Sequence, residues 1–268
     1  MSQSSSYIHG AATVRSHSTR TASADCPHLL PHLTDKLRIL DVGCGPGTIS
    51  CDLAALVPQG QVVGVDVSAH VVSAAREVAK ERGLKNVEFA EGDVYGLPFG
   101  DNEFDVVHAH QVLQHVGDPV RGLREMRRVL KPDGLLSLRE AILKASVWYP
   151  ESEGLQLFHD VYLRTAQAGG GSPDAGRGLA ALARQTGFER SKMEVSTGTW
   201  CKADKDDREF WAKYWIDRLQ QSEFRTKATE LGGATVEDLE ICCKGWNDYA
   251  ENEDASYTIL HGQLICRK

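Results

Sequence analysis

The sequence predicts an α/β fold: an open, mostly parallel sheet with helices on both faces. Three observations carry that expectation. Between Lys36 and Glu140, apolar runs of strand length alternate five times with segments whose apolar residues recur at helical spacing. Turn residues punctuate the alternation, from Gly43 to Lys131-Pro-Asp-Gly134. A chain of 268 residues with 41% hydrophobic content can bury a core on both faces of such a sheet.

The elements follow in order. Arg38–Val42 is the first strand and runs into Gly43-Cys-Gly-Pro-Gly47; Thr48–Leu56 then places Ile49, Leu53 and Leu56 at helical spacing. Gln61–Val65 is the second strand, with Asp66 at its end. Ser68 caps the next helix, Val71, Val72, Ala75 and Val78 form its buried stripe, and Gly83 stops it. Val87–Ala90 and Phe104–Ala109 are the third and fourth strands, separated by a loop that carries Gly96, Pro98 and Gly100. Val120–Leu130 is helical and Leu135–Glu140 is the fifth strand. Strand twist makes the crossovers right-handed.

Further on, residues 144–175 hold Trp148, Tyr149, Phe158 and Tyr162. Gly178–Thr186 reads as a helix ended by Gly187, and Ser191–Thr199 alternates like a strand. Residues 206–250 suit two or three helices, and Tyr257–Cys266 alternates again and closes the sheet. The 206–250 segment interrupts two strands and reads as an inserted helical cap. Residues 1–34, rich in Ser, Thr and His, read as a flexible arm or short helices. The expected organisation is an arm over 1–34 and one domain over 35–268, with cap insertions at about 144–175 and 206–250.

Net charge of −7 argues against a general nucleic-acid binder and favours a soluble cytosolic protein, while the inserted cap favours a small-molecule partner. No apolar run is long enough to span a bilayer, and MSQSSSYIHG lacks the apolar core of a signal peptide. The expected setting is cytoplasmic. Seven cysteines without a CxxC pair read as reduced core residues, with the role of the Cys242-Cys243 pair open.

In an open α/β sheet, ligands bind beyond the carboxyl ends of the strands. Polar residues collect there: the glycine turn, Asp66, Asp93, and His110-Gln111. Each also has a structural reading, since glycines serve tight packing and Asp66 can cap a helix. A phosphate-binding loop needs a Lys-Ser/Thr pair after its glycines, and Pro46-Gly47-Thr48 has none. The dinucleotide GxGxxG lacks its third glycine here, because position 48 is Thr. Asp41, just before the turn, would repel a pyrophosphate but attract an ammonium group. Asp66 is placed to hold ribose hydroxyls, and Asp93 to accept from an adenine amino group. Ribose, adenine and ammonium without phosphate describe S-adenosylmethionine.

The motifs ILDVGCGPG, VVGVDVS, FAEGDVYGLPFGDNEFDVV and LREMRRVLKPDG resemble, in order and spacing, those of class I S-adenosylmethionine-dependent methyltransferases. The nearest likeness is to the small-molecule group that includes ubiquinone- and menaquinone-biosynthesis enzymes. It covers about residues 37–140. The resemblance implies a Rossmann-like, seven-stranded sheet whose last strand, Tyr257–Cys266, is antiparallel and at the edge. It implies that Asp41, Gly43, Cys44 and Gly45 line the methionine side, Asp66 and Val67 the ribose, and Asp93 and Val94 the adenine. His110 then lies near the methionine moiety. Asp133 departs from the family's Lys-Pro-Gly-Gly turn, which touches turn geometry and not cofactor chemistry. Tyr7-Ile-His-Gly10 and Ser16-His-Ser-Thr-Arg20-Thr21 resemble an arm that related enzymes use as a lid. Arg20 is a candidate for the cofactor's carboxylate, with a solvated basic residue as the alternative.

Methyl transfer from a sulfonium is a one-step displacement, so alignment and water exclusion dominate, and a general base helps where the acceptor carries a proton. His108 should be buried in its strand. His115 is the base candidate, with core packing as the alternative. No metal site is expected. Trp148, Tyr149, His159, Tyr162, Trp211 and Trp215, with Tyr214, are candidates to line a pocket for a small hydrophobic or aromatic acceptor, although aromatics at helical spacing also build cores. The alternatives are a protein or RNA methyltransferase and a non-catalytic protein that binds the same cofactor.

Overall fold

A computed structural model describes residues 16–221 and 223–268. The Tyr7–Gly10 part of the arm motif lies outside them. Five parallel strands come first: β1 (Arg38–Val42), β2 (Gln61–Asp66), β3 (Val87–Glu91), β4 (Phe104–His110) and β5 (Leu130–Tyr149). β6 (Met193–Lys202) and β7 (Ser256–Arg267) complete a seven-stranded sheet of order β3-β2-β1-β4-β5-β7-β6. Only β7 runs opposite to the rest, antiparallel to both β5 and β6.

That order corrects one expectation. The last strand is not at the edge; it sits between β5 and β6. The reason is burial. Residues 259–266 of β7 are almost wholly enclosed and need a neighbour on each side, whereas β6 is mostly exposed and suits an edge. β5 also runs beyond Glu140 to Tyr149, with a register shift between Ile142 and Val147. The first six residues of the expected 144–175 insertion are therefore strand. At the Lys131–Gly134 turn, Asp133 adopts a left-handed φ of 59°, a conformation glycine reaches without a Cβ penalty.

Strand parity divides the core. Ile39, Val62, Val106 and Leu135 face one side, where α2 (Thr48–Leu56) packs; Leu40, Val63, Val107 and Leu136 face the other, against α4 (Pro119–Val129) and α6 (Leu179–Arg184). α3 (Ala69–Glu81) starts at Ser68, whose hydroxyl accepts from Val71 N, and α4 starts at Asp118 with Pro119 at its first position. Residues 16–34 contain short helices, the second of the two readings of that segment. α1 (Ala22–Asp25) and the turn after it bury Ala22, Cys26 and Leu29 with Ile39, Ile49 and Leu53. The scattered apolar positions of that segment are its contacts with the sheet.

A second apolar core joins α5 (Glu153–Ala168) to three helices between β6 and β7: α7 (Lys205–Gln221), α8 (Glu223–Glu230) and α9 (Val236–Glu251). Phe158, Trp215 and Trp246 meet edge-on or stacked at its centre, with ring centroids 4.7–6.2 Å apart. Thr235 and Asp238 close a reciprocal capping box at the start of α9.

Candidate active site

β1 delivers the glycine turn to the point where the strand order reverses between β1 and β4, the usual ligand position in such sheets. Gly43, Gly45 and Gly47 all have positive φ, but for different reasons. A Cβ at Gly43 would lie 2.5 Å from Val112 Cγ2, and one at Gly47 would lie 2.7 Å from Ala75 Cβ. Those two are packing glycines. Among the described residues a Cβ at Gly45 would meet only His17 Nδ1, at 3.7 Å, so Gly45 is the one of the three that they leave bare.

Asp66 holds the turn from β2. Its Oδ2 accepts from Gly45 N at 3.1 Å and its Oδ1 from Ser68 N at 3.0 Å, while each oxygen keeps a lone pair for a ligand. Asp41 lies beneath the turn, on the α2 face of β1, where its Oδ2 accepts from Ser50 Oγ at 2.5 Å. Burial pushes its carboxyl up to about 7. Cys44 is buried too, and burial holds its thiol well above the ordinary range, which suits a lining residue and not a nucleophile. Val67 and Asp93 are exposed at the ends of β2 and β3. Asp93 Oδ1 accepts from Tyr95 N, and Val94 is half-buried against Gly122.

His110 ends β4 on the face covered by residues 16–34. Arg20 can only donate, so His110 Nδ1, 3.3 Å from Arg20 Nη1, accepts and the ring proton sits on Nε2, 3.8 Å from Asp25 Oδ1. Burial, then Arg20 and Arg139, lower the His110 pKa well below its usual value. Arg20 Nη2 also donates to Gln111 Oε1 at 2.7 Å. Both hydrogen-bond partners of this guanidinium are neutral, and burial lowers it to about 10. Gln111 takes a left-handed φ of 56°, and its amide spans Arg20 and His261, 2.9 Å away. That strained backbone carries no sequence signature beyond a polar residue at a strand end.

Glu140, wholly buried on β5, accepts the N–H groups of Val112, Leu113 and Gln114 at 2.8–3.1 Å. Its carboxylate thereby fixes the single turn of 3₁₀ helix that carries His115. Gln114 Oε1 accepts from Ala141 N at 3.1 Å, so the Gln114 Nε2 group faces His115 Nε2, also at 3.1 Å. The His115 Nε2 lone pair therefore accepts from Gln114. His108 is buried as expected, its Nδ1 3.1 Å from Ser137 Oγ.

Beyond this turn lies a cavity of about 120 Å³ between α5, β7 and the α7–α8 helices. His159, Tyr162, Trp211 and Trp215 line it, as does Tyr214. Trp148 and Tyr149 do not. Trp148 pairs in register with Tyr257 and stacks on its ring, with centroids 6.1 Å apart. Tyr149, next along the strand, points to the other side, stays 60% exposed and borders a separate cleft with Pro150 and Tyr249. Sequence reasoning left Trp200, Tyr257 and Arg218 out of this wall, because strands and helices distant in sequence bring them there. His115, Arg20 and His17 line its inner end. Among the described residues no group of three His, Cys, Asp or Glu side chains is placed to hold a metal.

A "Methyltransferase domain" family model matches residues 33–157. An uncharacterized methyltransferase of Schizosaccharomyces pombe is 33% identical over 261 residues, covering 94% of this chain and 92% of the relative. The chain is a class I S-adenosylmethionine-dependent methyltransferase. A second full-length relative of this methyltransferase, "Probable methyltransferase ltbC" of Aspergillus luteorubrus, is 32% identical over 283 residues, covering 99% and 98% of the two chains. Among solved structures, the [4+2]-cyclase SpnF is 26% identical with a TM-score of 0.53, covering 89% of the methyltransferase and 80% of that chain. A shared fold thus spans more than one reaction, and the chemistry must be argued from the site.

S-Adenosylmethionine is the methyl donor of this family, and the residues present suit it. Gly45 is bare among the described residues, the carboxylate at the end of β2 has lone pairs to spare, and the Arg20 guanidinium donates to Gln111 and His110. No described helix of the methyltransferase is long and apolar enough to cross a membrane.

Proposed function

We propose that this methyltransferase modifies a small aromatic or apolar molecule held in the cavity beside its donor site. One observation carries the reading: His17 lies against both. Its ring is the nearest side chain above Gly45, its carbonyl accepts from Thr48 Oγ1 at 3.4 Å, and its side chain lines the cavity. A donor lying on the glycine turn would present its methyl group toward aromatic walls.

In this reading Asp41 and Gly43–Gly45 face the methionine portion, with Arg20 on its carboxylate. Asp66 and Val67 hold the ribose; Asp93 and Val94 flank the adenine. When bound, S-adenosylmethionine supplies a sulfonium methyl whose C–S pair returns to sulfur as the acceptor's lone pair forms the new bond. The chain's part is to align the acceptor, exclude water and, where the acceptor is protonated, take that proton. His115, which lines the cavity, is the candidate base, and it must release Gln114 from Nε2 to serve. His110 stays neutral and positions Arg20.

Net charge of −7 and a ring-walled cavity favour a small molecule over RNA or protein. Seven free thiols, six of them buried, support a reducing, cytoplasmic setting.

Calorimetric titration with S-adenosylmethionine and S-adenosylhomocysteine tests the donor site, and Asp66→Ala should abolish both titrations. Labelled methyl transfer into a metabolite extract, read by mass spectrometry, tests the acceptor class. Label found only in protein or RNA fractions would overturn it.

A further inference from the structure

The structure assigns Gln111 a positioning role: its amide fixes the Arg20 guanidinium for the carboxylate of the donor, and His261 sets which way that amide points. The inference rests on the donor reading above and deepens it at one end of the same site.

The backbone gives the first indication. Gln111 follows β4 directly and has a φ of 56°. Asn102 and Asp133 share that left-handed conformation, but short polar side chains reach it readily. A glutamine has no such local help, so its surroundings must hold it there. They do so at three atoms. Gln111 N donates to Arg139 O at 2.7 Å, Oε1 accepts from Arg20 Nη2 at 2.7 Å, and Nε2 lies 2.9 Å from His261 Nε2.

Donor and acceptor roles then run in one direction. A guanidinium only donates, so the amide oxygen must face Arg20 and the amide nitrogen must face His261. His261 Nε2 is therefore an acceptor. Burial, then Arg139 and Arg20, lower His261 to about 3, which keeps that lone pair available. A protonated ring would donate instead and turn the amide nitrogen onto Arg20, donor against donor. Trp200 packs on both ends of the chain, its ring 4.6 Å from that of His261 and 5.4 Å from Arg20 Cζ.

A glutamate at this position would also orient Arg20, but it would neutralise the guanidinium and repel an arriving carboxylate. An amide orients it and leaves its charge intact, as His110 Nδ1 does at 3.3 Å. Asp25 Oδ1 is shared between Trp200 Nε1 and Arg139 Nη1. Arg20 lines the cavity, and its Nε is buried without a hydrogen-bond partner among the described residues. A carboxylate would satisfy that N–H and meet the charge.

Calorimetry with S-adenosylhomocysteine and with methylthioadenosine, which lacks the amino-acid chain, isolates this end of the donor. The full chain should bind S-adenosylhomocysteine about tenfold or more tightly. Arg20→Gln should remove that margin. Gln111→Asn suits the left-handed backbone but is one methylene too short to span both partners, and should remove most of it. Gln111→Glu keeps length and shape yet sets an anion beside Arg20, and should lose at least as much; a residue kept only for packing would tolerate Glu better than Asn. His261→Leu frees the amide to turn and should lose part of the margin. Unchanged affinity for methylthioadenosine shows that the variants fold. A margin that survives in Gln111→Asn or Gln111→Glu, while Arg20→Gln removes it, would overturn the positioning role and leave the donor reading standing. No margin in the full chain, or one that survives in Arg20→Gln, would overturn the placement of the carboxylate and the positioning role with it.

Discussion

Trp200 Nε1 donates a hydrogen bond to Asp25 Oδ1 at 2.8 Å, tying the edge strand of the sheet to the N-terminal segment. The same oxygen lies 3.4 Å from Arg139 Nη1, and Arg139 is only 1% exposed. Removing the carboxylate would strand a buried guanidinium. Asp25→Ala is expected to cost about 3–5 kcal/mol in urea unfolding, whereas Trp200→Phe, which loses one hydrogen bond, should cost about 1–3 kcal/mol. Equal costs would show that Asp25 does not bear the Arg139 charge.

The glycine turn separates stability from binding. Gly47→Ala drives a Cβ into Ala75 and Phe89, and should cost about 1–3 kcal/mol from overpacking besides about 1–2 kcal/mol for the left-handed backbone. Gly45→Ala meets no such clash and should cost only the backbone part. Its calorimetric signature is instead a loss of S-adenosylhomocysteine affinity of about tenfold or more, about 1.4 kcal/mol.

Acid should destabilise the protein, and Glu140 should oppose the effect. Folded Asp41 and Glu140 keep their protons to about 7, against ordinary values of 3.8 and 4.5, so their contribution is full below those values and lost as pH rises toward 7. Burial acts oppositely on His28, His108 and His261, lowering them from 6.5 to about 4, 3 and 3. Their contribution is full above 6.5 and lost as pH falls; His17 and His110 are lowered in the same sense. The histidines outnumber the carboxyls, so the urea midpoint should fall from about pH 7 to about pH 5. Glu140→Gln should steepen that fall by up to about 1.4 kcal/mol per pH unit. A shallower slope in the variant would contradict the burial assigned to Glu140.

His115→Asn should lower kcat about a hundredfold without changing donor affinity, if the acceptor must lose a proton to that ring. Labelled transfer measured against pH checks this, because the native acidic limb should vanish in the variant. An unchanged profile would leave His115 a wall residue.

The parallel half of the fold was legible because its signals are local. β1 and α2 fall on the residues that apolar spacing marks, Ser68 caps where expected, and the turn after β1 is visible in its glycines. What periodicity does not carry is partnership between distant segments. Nothing local in Tyr257–Cys266 says that two strands flank it, or that Trp200 will face the cavity from the next one. Trp148 and Tyr149 read from the sequence as lying past the fifth strand, but β5 runs through both, and neighbours on a strand cannot both face one pocket. Gln111 was visible as a polar strand-end residue, but its left-handed backbone and its bridge from Arg20 to His261 were not.

Lys202 and Tyr257 are register partners on β6 and β7, and the Tyr249 hydroxyl donates to Lys202 O at 2.6 Å. Everything between them, α7 to α9, leaves the sheet and rejoins it one strand spacing away, about 4.8 Å. Such an excursion behaves as a cartridge: its length and composition can drift, or be transplanted between homologues, while the sheet and donor machinery keep their register. With the acceptor bound where we propose, its choice can thus evolve on a timetable of its own.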